Sequence, residues 1–575
     1  MLTTTTRWEV QPRAPDDFLN DLLDIPPLLT QLLYNRGLRT ASEARAFLAG
    51  EYKADHPFKL KGMNEAVARI RQALRVREPI AVYGDFDADG ITATALLVTA
   101  LRSLGADVKP YIPDRFDESY GLNKPALTQL AQDGICLVIT VDCGIRDPAE
   151  VAHANSLGMD IIITDHHTAP APVDLPRARA IINPQQEGCP YPFKRLAGVG
   201  VAFKLADALL RVHHQGYGSD DASTDLKAED LLDLVALGTV ADVVPLREEN
   251  RFLVQQGLRI INSGLGHPGV RALMAEAGLQ PGQIDAERIG FGLAPRLNAA
   301  GRLDKAMKSC QLLLSSKDEE ARALASELGQ INRERQKMTE GLFEQAKTEV
   351  QSMPEEYICI IAGPDYHPGL VGLIAGRLRE EYHRPAIVIK LGTNTSRGSA
   401  RSIPNFHITR ALDKCKSLLV RHGGHAMAAG FEVDNSNLEA LTARLRAIAR
   451  EELTPEDLIP TLRIDTELSS KEITFDTLDL ISQLAPFGTD NERPVFITRG
   501  LIVRQHRLVG NNSNHMKLLL SNSVVVLDAI AFHQAERITG EFPKAVDVVY
   551  TLNRHEWNGR TDLQLVVKDF RPSEA

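Results

Sequence analysis

Between Pro79 and Pro184 four short runs of branched apolar residues, "PIAVYGD", "CLVITVD", "DIIITD" and "RAIINP", alternate with helical patterns. No other feature constrains the fold as strongly. Runs this short and this uniformly apolar read as strands buried on both faces, as in a parallel sheet. Between the second and third lies "RDPAEVAHANSLG", with an Asp-Pro start, apolar residues at helical spacing and a Gly stop. Strand, helix and strand make a βαβ unit, and the α/β class follows.

What stands at the strand ends is the next question. "AVYGDFDADGITATAL" puts Asp85, Asp87, Asp89 and Gly90 in the register of a calcium loop. Such a loop needs a bidentate Glu at its twelfth position and a helix before it. Here the twelfth residue is Leu96 and a strand pattern comes first, so the calcium loop is rejected. The acids fall instead at the carboxyl end of a parallel strand, where α/β folds place their sites. The next two strands end in "TVDCG", with Asp142, and in "ITDHH", with Asp165, His166 and His167. Asp242, in "GTVADVVP", is a further acid in an apolar segment, expensive unless paired or metal-bound. Taken singly, each acid is equally a cap or turn residue. Caps, however, need not follow three successive strands. Carboxylates mixed with imidazole suit Mn²⁺ or Mg²⁺ better than zinc, and so many acids suit two ions rather than one.

The 575 residues exceed one domain, and a charged stretch from Ser315 with no Pro and few Gly reads as one or two long helices connecting domains. A second α/β pattern begins at "EYICIIAGP" and runs through "RPAIVIK". After "LTPEDLIP" four strand patterns with Gly/Asn turns suggest a small all-β barrel. The expected division is an N-terminal segment 1–60, a catalytic domain 61–314, a connecting helix 315–352, a substrate-binding α/β domain 353–455 and a barrel domain 456–575. Six scattered cysteines with no CxxC pair fit reduced thiols in the cytoplasm. There is no signal-peptide pattern, and no apolar run nears the roughly 20 residues that cross a bilayer. The net charge of −10 argues against indiscriminate polyanion binding but leaves room for a local basic groove.

The motifs "GDFDADG", "TVDCGI", "TDHH", "LAGVGVAFKL", "LDLVALGTVADVVPL", "LAPRLNAAGRL", "HPGLVGLIAGRL", "RGSARS" and "GGHAMAAG" occur in that order. Together they resemble the DHH phosphoesterase superfamily, and within it the bacterial exonucleases specific for single strands. The resemblance covers most of the chain. It implies that Asp85, Asp87, Asp89, Asp142, His166 and Asp242 bind metal, with Asp142 bridging two ions and Asp165 orienting the turn. Asp85 stands where the superfamily's pyrophosphatases carry His. His167 would face the substrate phosphate as hydrogen-bond donor or general acid, against the plainer reading that it packs beside His166. A second pair, His213 and His214, reads as a solvated loop.

In the second α/β region, read as the DHH-associated domain, "SRGSARSI" offers amides freed by Gly398, the hydroxyls of Ser399 and Ser402, and the Arg401 cation for a terminal phosphate. His425 stands on a Gly-rich turn, and between Leu391 and His425 six basic residues face one acid. Arg296, Asn298 and Arg302 are candidates to line a strand channel, or else to form a structural ion-pair network. The barrel resembles an OB-fold, with Phe487 in its entry segment and His515, Lys517 and Trp557 as candidate contacts. Aromatics are 5 % of the chain, so backbone contacts should outweigh base stacking. The expected function is Mn²⁺- or Mg²⁺-dependent 5′→3′ hydrolysis of single-stranded DNA to mononucleotides in recombination and repair. The resemblance also implies single-strand-binding protein and a helicase as partners, with no membrane and a monomer sufficient. The alternatives are a phosphodiesterase for oligonucleotides or cyclic dinucleotides, and a non-catalytic strand-holding replication factor.

Overall fold

The computed structural model describes residues 6–52, 54–118, 120–217, 224–510, 513–522, 525–537, 542–557 and 560–573. It forms two compact units, Tyr52–Glu452 and Met1–Glu51 together with Leu453–Ala575.

The larger unit begins with a five-stranded sheet, parallel throughout, in the order Val108–Tyr111, Ile80–Gly84, Leu137–Val141, Asp160–Thr164, Ala180–Ile182. The four apolar runs are the four strands expected. The edge strand, "VKPY", was not anticipated, because Lys109 and Pro110 break the apolar pattern; such residues are usual at edges. Alternate residues serve two cores. Ile80 and Val82 pack with the Ala88–Ser103 helix, whereas Ala81 and Tyr83 pack with Leu127 and Val151 on the other face. The strand order reverses between Ile80–Gly84 and Leu137–Val141. A crevice opens beyond the carboxyl ends at such a reversal.

The Ala88–Ser103 helix is buried along most of its length, between the sheet and the Gly198–Val212 and Leu232–Ala241 helices. The charged stretch is one helix, Asp318–Ser352. Its first half buries Ala321, Ala325 and Leu328 in the core of the first sheet's domain. Its second half buries Phe343 and Ala346 against the second domain. It is a strut shared by both.

The second sheet runs in the order Leu419–Gly424, Ala428–Asp434, Thr395–Arg401, Ala386–Lys390, Cys359–Gly363, with only the last pair parallel. This corrects the reading of "SRGSARSI". Gly398 lies mid-sheet, opposite Phe431 on one side and Ile389 on the other, so its amide belongs to the ladder and is not freed for a phosphate. The glycine is there for packing, since a Cβ would stand 2.2 Å from the Phe431 ring.

The smaller unit holds a closed five-stranded barrel: Phe496–Val509, His515–Ser521, Val526–Ala531, Arg560–Pro572 and Ala545–Trp557, the last pairing back to the first. The N-terminal residues complete it. Phe18, Leu22, Leu29, Leu32 and Leu33 share its core, and Arg7–Val10 pairs in parallel with Thr461–Ile464. Arg493 lies 4.8 Å over the Phe487 ring. His515 packs edge-on against Phe532 and His533, and Lys517 pairs with Asp528 at 3.1 Å. The side chain of Trp557 lies outside the described residues. Among the described residues no helix is long and apolar enough to cross a membrane, and all six cysteines are free thiols.

Candidate metal centre

Five carboxylates and two imidazoles meet at the crevice of the first sheet. Asp85, Asp87 and Asp142 form one group whose ligand atoms lie within 4.8 Å of one another, and Asp89, His166 and Asp242 form a second. Asp142, His166 and His167 form a third that overlaps both.

Local backbone chemistry sets each side chain. Asp87 caps the Ala88–Ser103 helix, its Oδ1 accepting from the amides of Asp89 at 3.0 Å and Gly90 at 3.1 Å. The cap and metal readings thus coexist, since one oxygen caps and the other remains. Asp89 accepts from Gly198 N–H at 2.6 Å and Val199 N–H at 2.8 Å, which docks the positive end of the Gly198–Val212 helix onto the site. Asp142 takes a left-handed φ of 63°, rare for a residue with a Cβ, directly after its strand. Asp242 follows the Leu232–Ala241 helix as its C-cap.

His166 Nδ1 lies 3.1 Å from the Leu196 carbonyl, which fixes the proton there and turns the Nε2 lone pair inward. That atom faces Asp142 Oδ1 at 3.1 Å, Asp242 Oδ2 at 3.6 Å and Asp89 Oδ2 at 3.9 Å. His166 Nε2, Asp142 Oδ1 and Asp85 Oδ1 are buried and receive no hydrogen bond. Acceptors crowded together without a donor need cations or protons between them. The protonation energetics agree. Burial, then repulsion from Asp87, pushes Asp85 up to about 8 and Asp89 to about 7. Asp142 and Asp242 are driven well above the carboxylate range by burial and then by Asp89. Burial, then the His167 charge, pulls His166 down to about 4. The residues therefore fit divalent cations, and the two main groups give two positions with Asp142 next to both.

Asp165 behaves differently. Its Oδ1 accepts from the His166 amide at 2.7 Å, the His167 amide at 3.0 Å and His167 Nδ1 at 2.8 Å, and its Oδ2 accepts from the Ile145 amide at 3.0 Å. Against its burial, these bonds and the two imidazoles hold it below the usual range. Asp165 thus bonds the turn that was expected of it and, beyond that expectation, also holds the His167 ring. Burial opposes protonation of His167, but Asp165 outweighs it and the imidazole is raised. With Nδ1 engaged, Nε2 is the end left for a ligand. His425, exposed on its hairpin turn, lies parallel to His167 with ring centroids 6.5 Å apart.

Beside the acids stands a group of arginines. Arg302 donates to the Gly369 carbonyl at 3.2 Å, and burial, then repulsion by Arg115, Arg335 and Arg401, pulls it down to about 9. Arg115 lies 4.1 Å over the Phe86 ring, and its buried Nε has no hydrogen-bond partner. Arg401 bonds Ser399 Oγ at 3.1 Å and the Ala400 carbonyl at 2.8 Å. A Cβ at Gly372, near the start of the Val371–Tyr382 helix, would lie 2.9 Å from the Arg401 guanidinium. Guanidiniums gathered this way create a place for an anion.

Other candidates fall elsewhere. Ser402 is fully buried and its hydroxyl donates to the Phe406 carbonyl, so it is not a phosphate contact. Arg296 donates to the Gly292 carbonyl just before its own helix, and burial lowers it; the ion pair nearby joins Arg333 to Glu276. Asn298 accepts from the Ala88 amide at 2.9 Å and so holds the helix that carries the acids. Within the basic stretch, Arg397 and Arg421 pair with Glu432, and Lys414 with Glu452. His214 bonds the Leu226 carbonyl at 3.1 Å, away from the acids.

Arg115, Arg335 and Gly198 were missed. Arg115 sits in a polar loop without periodicity, and Arg335 looks like any charge on a surface helix. Gly198 gave a signal, in "LAGVGVAFKL", but no role; a Cβ there would stand 2.6 Å from Asp142 Oδ1.

Known domain families match the chain in three stretches: the DHH family N-terminal domain at residues 79–239, the DHHA1 domain at 355–451 and the RecJ OB domain at 464–569. The single-stranded-DNA-specific exonuclease RecJ of Salmonella typhimurium is 38 % identical, over 98 % of this chain and 99 % of its own. The chain belongs to the RecJ family. The RecJ of Bacillus subtilis is 40 % identical over 100 % of this chain and 72 % of its own. The crystal structure of RecJ in complex with Mn²⁺ from Thermus thermophilus superposes with a TM-score of 0.84 at 31 % identity, covering 99 % of this chain and 80 % of that one. The same RecJ is also solved in complex with Mg²⁺.

Proposed function

We propose that the chain is a Mn²⁺- or Mg²⁺-dependent exonuclease that hydrolyses single-stranded DNA from the 5′ end and releases 5′-mononucleotides. One observation carries this reading: a cluster of acceptors that demands cations adjoins a cluster of guanidiniums that demands an anion. Asp87 and Arg302 are near enough to interact, as are Asp85 and Arg115. A phosphodiester with a terminal phosphate satisfies both at once.

Asp85, Asp87 and Asp142 would hold one cation, and Asp89, His166 and Asp242 the other. When bound, the cations supply Lewis-acid charge neutralisation at the phosphate and make water a nucleophile at neutral pH. Arg115, Arg302 and Arg401, with the Ser399 hydroxyl, would fix the terminal phosphate and so set which bond lies over the acids. His167, pinned through Nδ1, would present Nε2 to the phosphate and protonate the departing O3′, with His425 closing the other side. The supporting α/β domain at 353–455 then binds substrate and the barrel at 456–575 holds the strand. Roles in recombination and repair, a cytoplasmic setting, and work alongside single-strand-binding protein and a helicase belong to the same proposal.

The test uses 5′- and 3′-labelled single strands in Mn²⁺ and in EDTA. Immediate mononucleotide release from the 5′ label, late release from the 3′ label and none in EDTA are expected. Intact long strands with cleaved dinucleotides would favour a small-substrate phosphodiesterase, and tight strand binding without cleavage a non-catalytic factor.

A further inference from the structure

Where the Asp318–Ser352 helix ends, the chain turns through Met353 and Pro354 into Cys359–Gly363, the edge strand of the second sheet. Between this turn, the end of the Val371–Tyr382 helix and the Leu438–Glu452 helix lies a cavity of about 250 Å³. All its lining residues belong to the larger unit. Its walls are apolar, from Val350, Met353, Pro354, Ile358 and Ile360, and they carry two guanidiniums, Arg384 and Arg446. The Nε of each arginine is buried and has no hydrogen-bond partner. The other nitrogens of Arg384 donate to the Tyr382 carbonyl at 3.0 Å and to Glu355 at 2.6 Å. Arg446 makes no hydrogen bond or ion pair with any of the described residues.

Charged donors shut away from water call for an acceptor, and the charges at the cavity say which kind. Glu355 balances Arg384, and Glu356 is held by Arg450 at 2.5 Å, which leaves the Arg446 cation unmatched. One missing negative charge fits a carboxylate better than a phosphate dianion. Burial pushes the Cys359 thiol up to about 11, so it stays neutral and adds no second charge. The apolar walls call for an apolar body on that carboxylate. A cavity of about 150 Å³ holds benzene, so this one holds a single ring with its carboxylate. The cavity is separate from the arginines beside the acids. Gly372 lies against Arg401, and Tyr382, at the cavity, is ten residues further along the same helix. At the helical rise that is about 15 Å.

We propose that this cavity binds a small monocarboxylate with a compact apolar body, an aromatic or branched-chain acid. Its carboxylate sits between the Nε–H groups of Arg384 and Arg446, and its body lies on Val350, Met353 and Ile358. The Tyr382 hydroxyl, on the same wall beside Gln351, offers a further donor. Charge-assisted bonds from two arginines set the preference for an anion, and the apolar walls set the preference for what it is attached to.

The test is isothermal titration calorimetry on the full chain, stripped of metal with EDTA and dialysed, with benzoate, benzamide and inorganic phosphate as probes. Benzoate should saturate one site with a Kd below about 1 mM. Benzamide and phosphate should each bind at least about 10-fold more weakly. Arg446→Met should abolish saturable binding, and Arg446→Lys, which keeps the charge but not the Nε–H, should weaken it about 10-fold. Because Arg446 has no partner in the protein, Arg446→Met should melt with the wild type when benzoate is absent. Arg401→Ala, in the other guanidinium cluster, should leave the affinity unchanged. The site is overturned by no saturable benzoate binding, by benzamide binding as tightly, by binding that survives Arg446→Met, or by binding lost in Arg401→Ala. An Arg446→Met chain that melts well below the wild type overturns it too, since the arginine then has a structural role instead.

Discussion

Gly198 shows how narrowly the centre is built. Its amide donates to Asp89, and its missing Cβ leaves room for Asp142, whose carboxylate would otherwise be struck at 2.6 Å. Gly198→Ala must push Asp142 aside, and a displacement of about 1 Å at a reacting centre costs on the order of 10²-fold in rate. Loss of that order in kcat, with the far-ultraviolet circular dichroism unchanged, is the expected outcome; full activity would mean that Asp142 is not held where its role requires. The acids themselves were legible from sequence, because a carboxylate after an apolar strand must be satisfied and three consecutive strands ended that way. The residues that support them were not. Gly198 and Arg115 act through distances to residues far away in the chain, and sequence spacing carries no trace of such distances. Arg401, a candidate phosphate contact from sequence, lies near Arg302 beside the acids, while its neighbour Ser402, similar on paper, follows the end of the strand and is fully buried. Arg302→Ala should therefore raise KM several-fold more for 5′-phosphorylated than for 5′-hydroxyl strands, and an equal effect on both ends would remove the terminal-phosphate role.

At the scale of elements, periodicity revealed the strands that are apolar on both faces and concealed those that are not. Val108–Tyr111 is an edge, and Thr395–Arg401 alternates serine, arginine and small residues, so it reads as a loop until its two neighbours are known. The N-terminal residues are the larger surprise. They hold no chemical motif, yet Leu29, Leu32 and Leu33 are buried in the barrel's core, and Trp8 Nε1 donates to Asp569 Oδ2 at 2.7 Å. The signal was there as an amphipathic helix, Pro27–Asn35, but the Asp465 that its Asn35 bonds lies 430 residues away in sequence. Removing residues 1–51 should expose that core. The truncated chain should melt well below the full one, or aggregate, and an unchanged thermal transition would show that the barrel stands without them.

On the scale of the whole molecule, the centre couples metal binding to stability. Asp85 and Asp89, raised to about 8 and about 7 by burial and by their neighbours, hold protons in the metal-free fold that the unfolded chain releases near pH 4. The native state then binds more protons than the unfolded state, so stability falls as pH rises from about 4 through about 8. In EDTA the melting temperature should drop across that range, and Mn²⁺ should recover it by an amount that grows with pH. A pH-independent gap between the two conditions would contradict this linkage. The same centre offers the most direct trial of the account, which is the anomalous scattering of manganese in crystals of the full chain. Two peaks are expected, one among Asp85, Asp87 and Asp142 and one among Asp89, His166 and Asp242, with Asp142 reaching both. A single peak, or a pair that leaves Asp142 unbound, would contradict it.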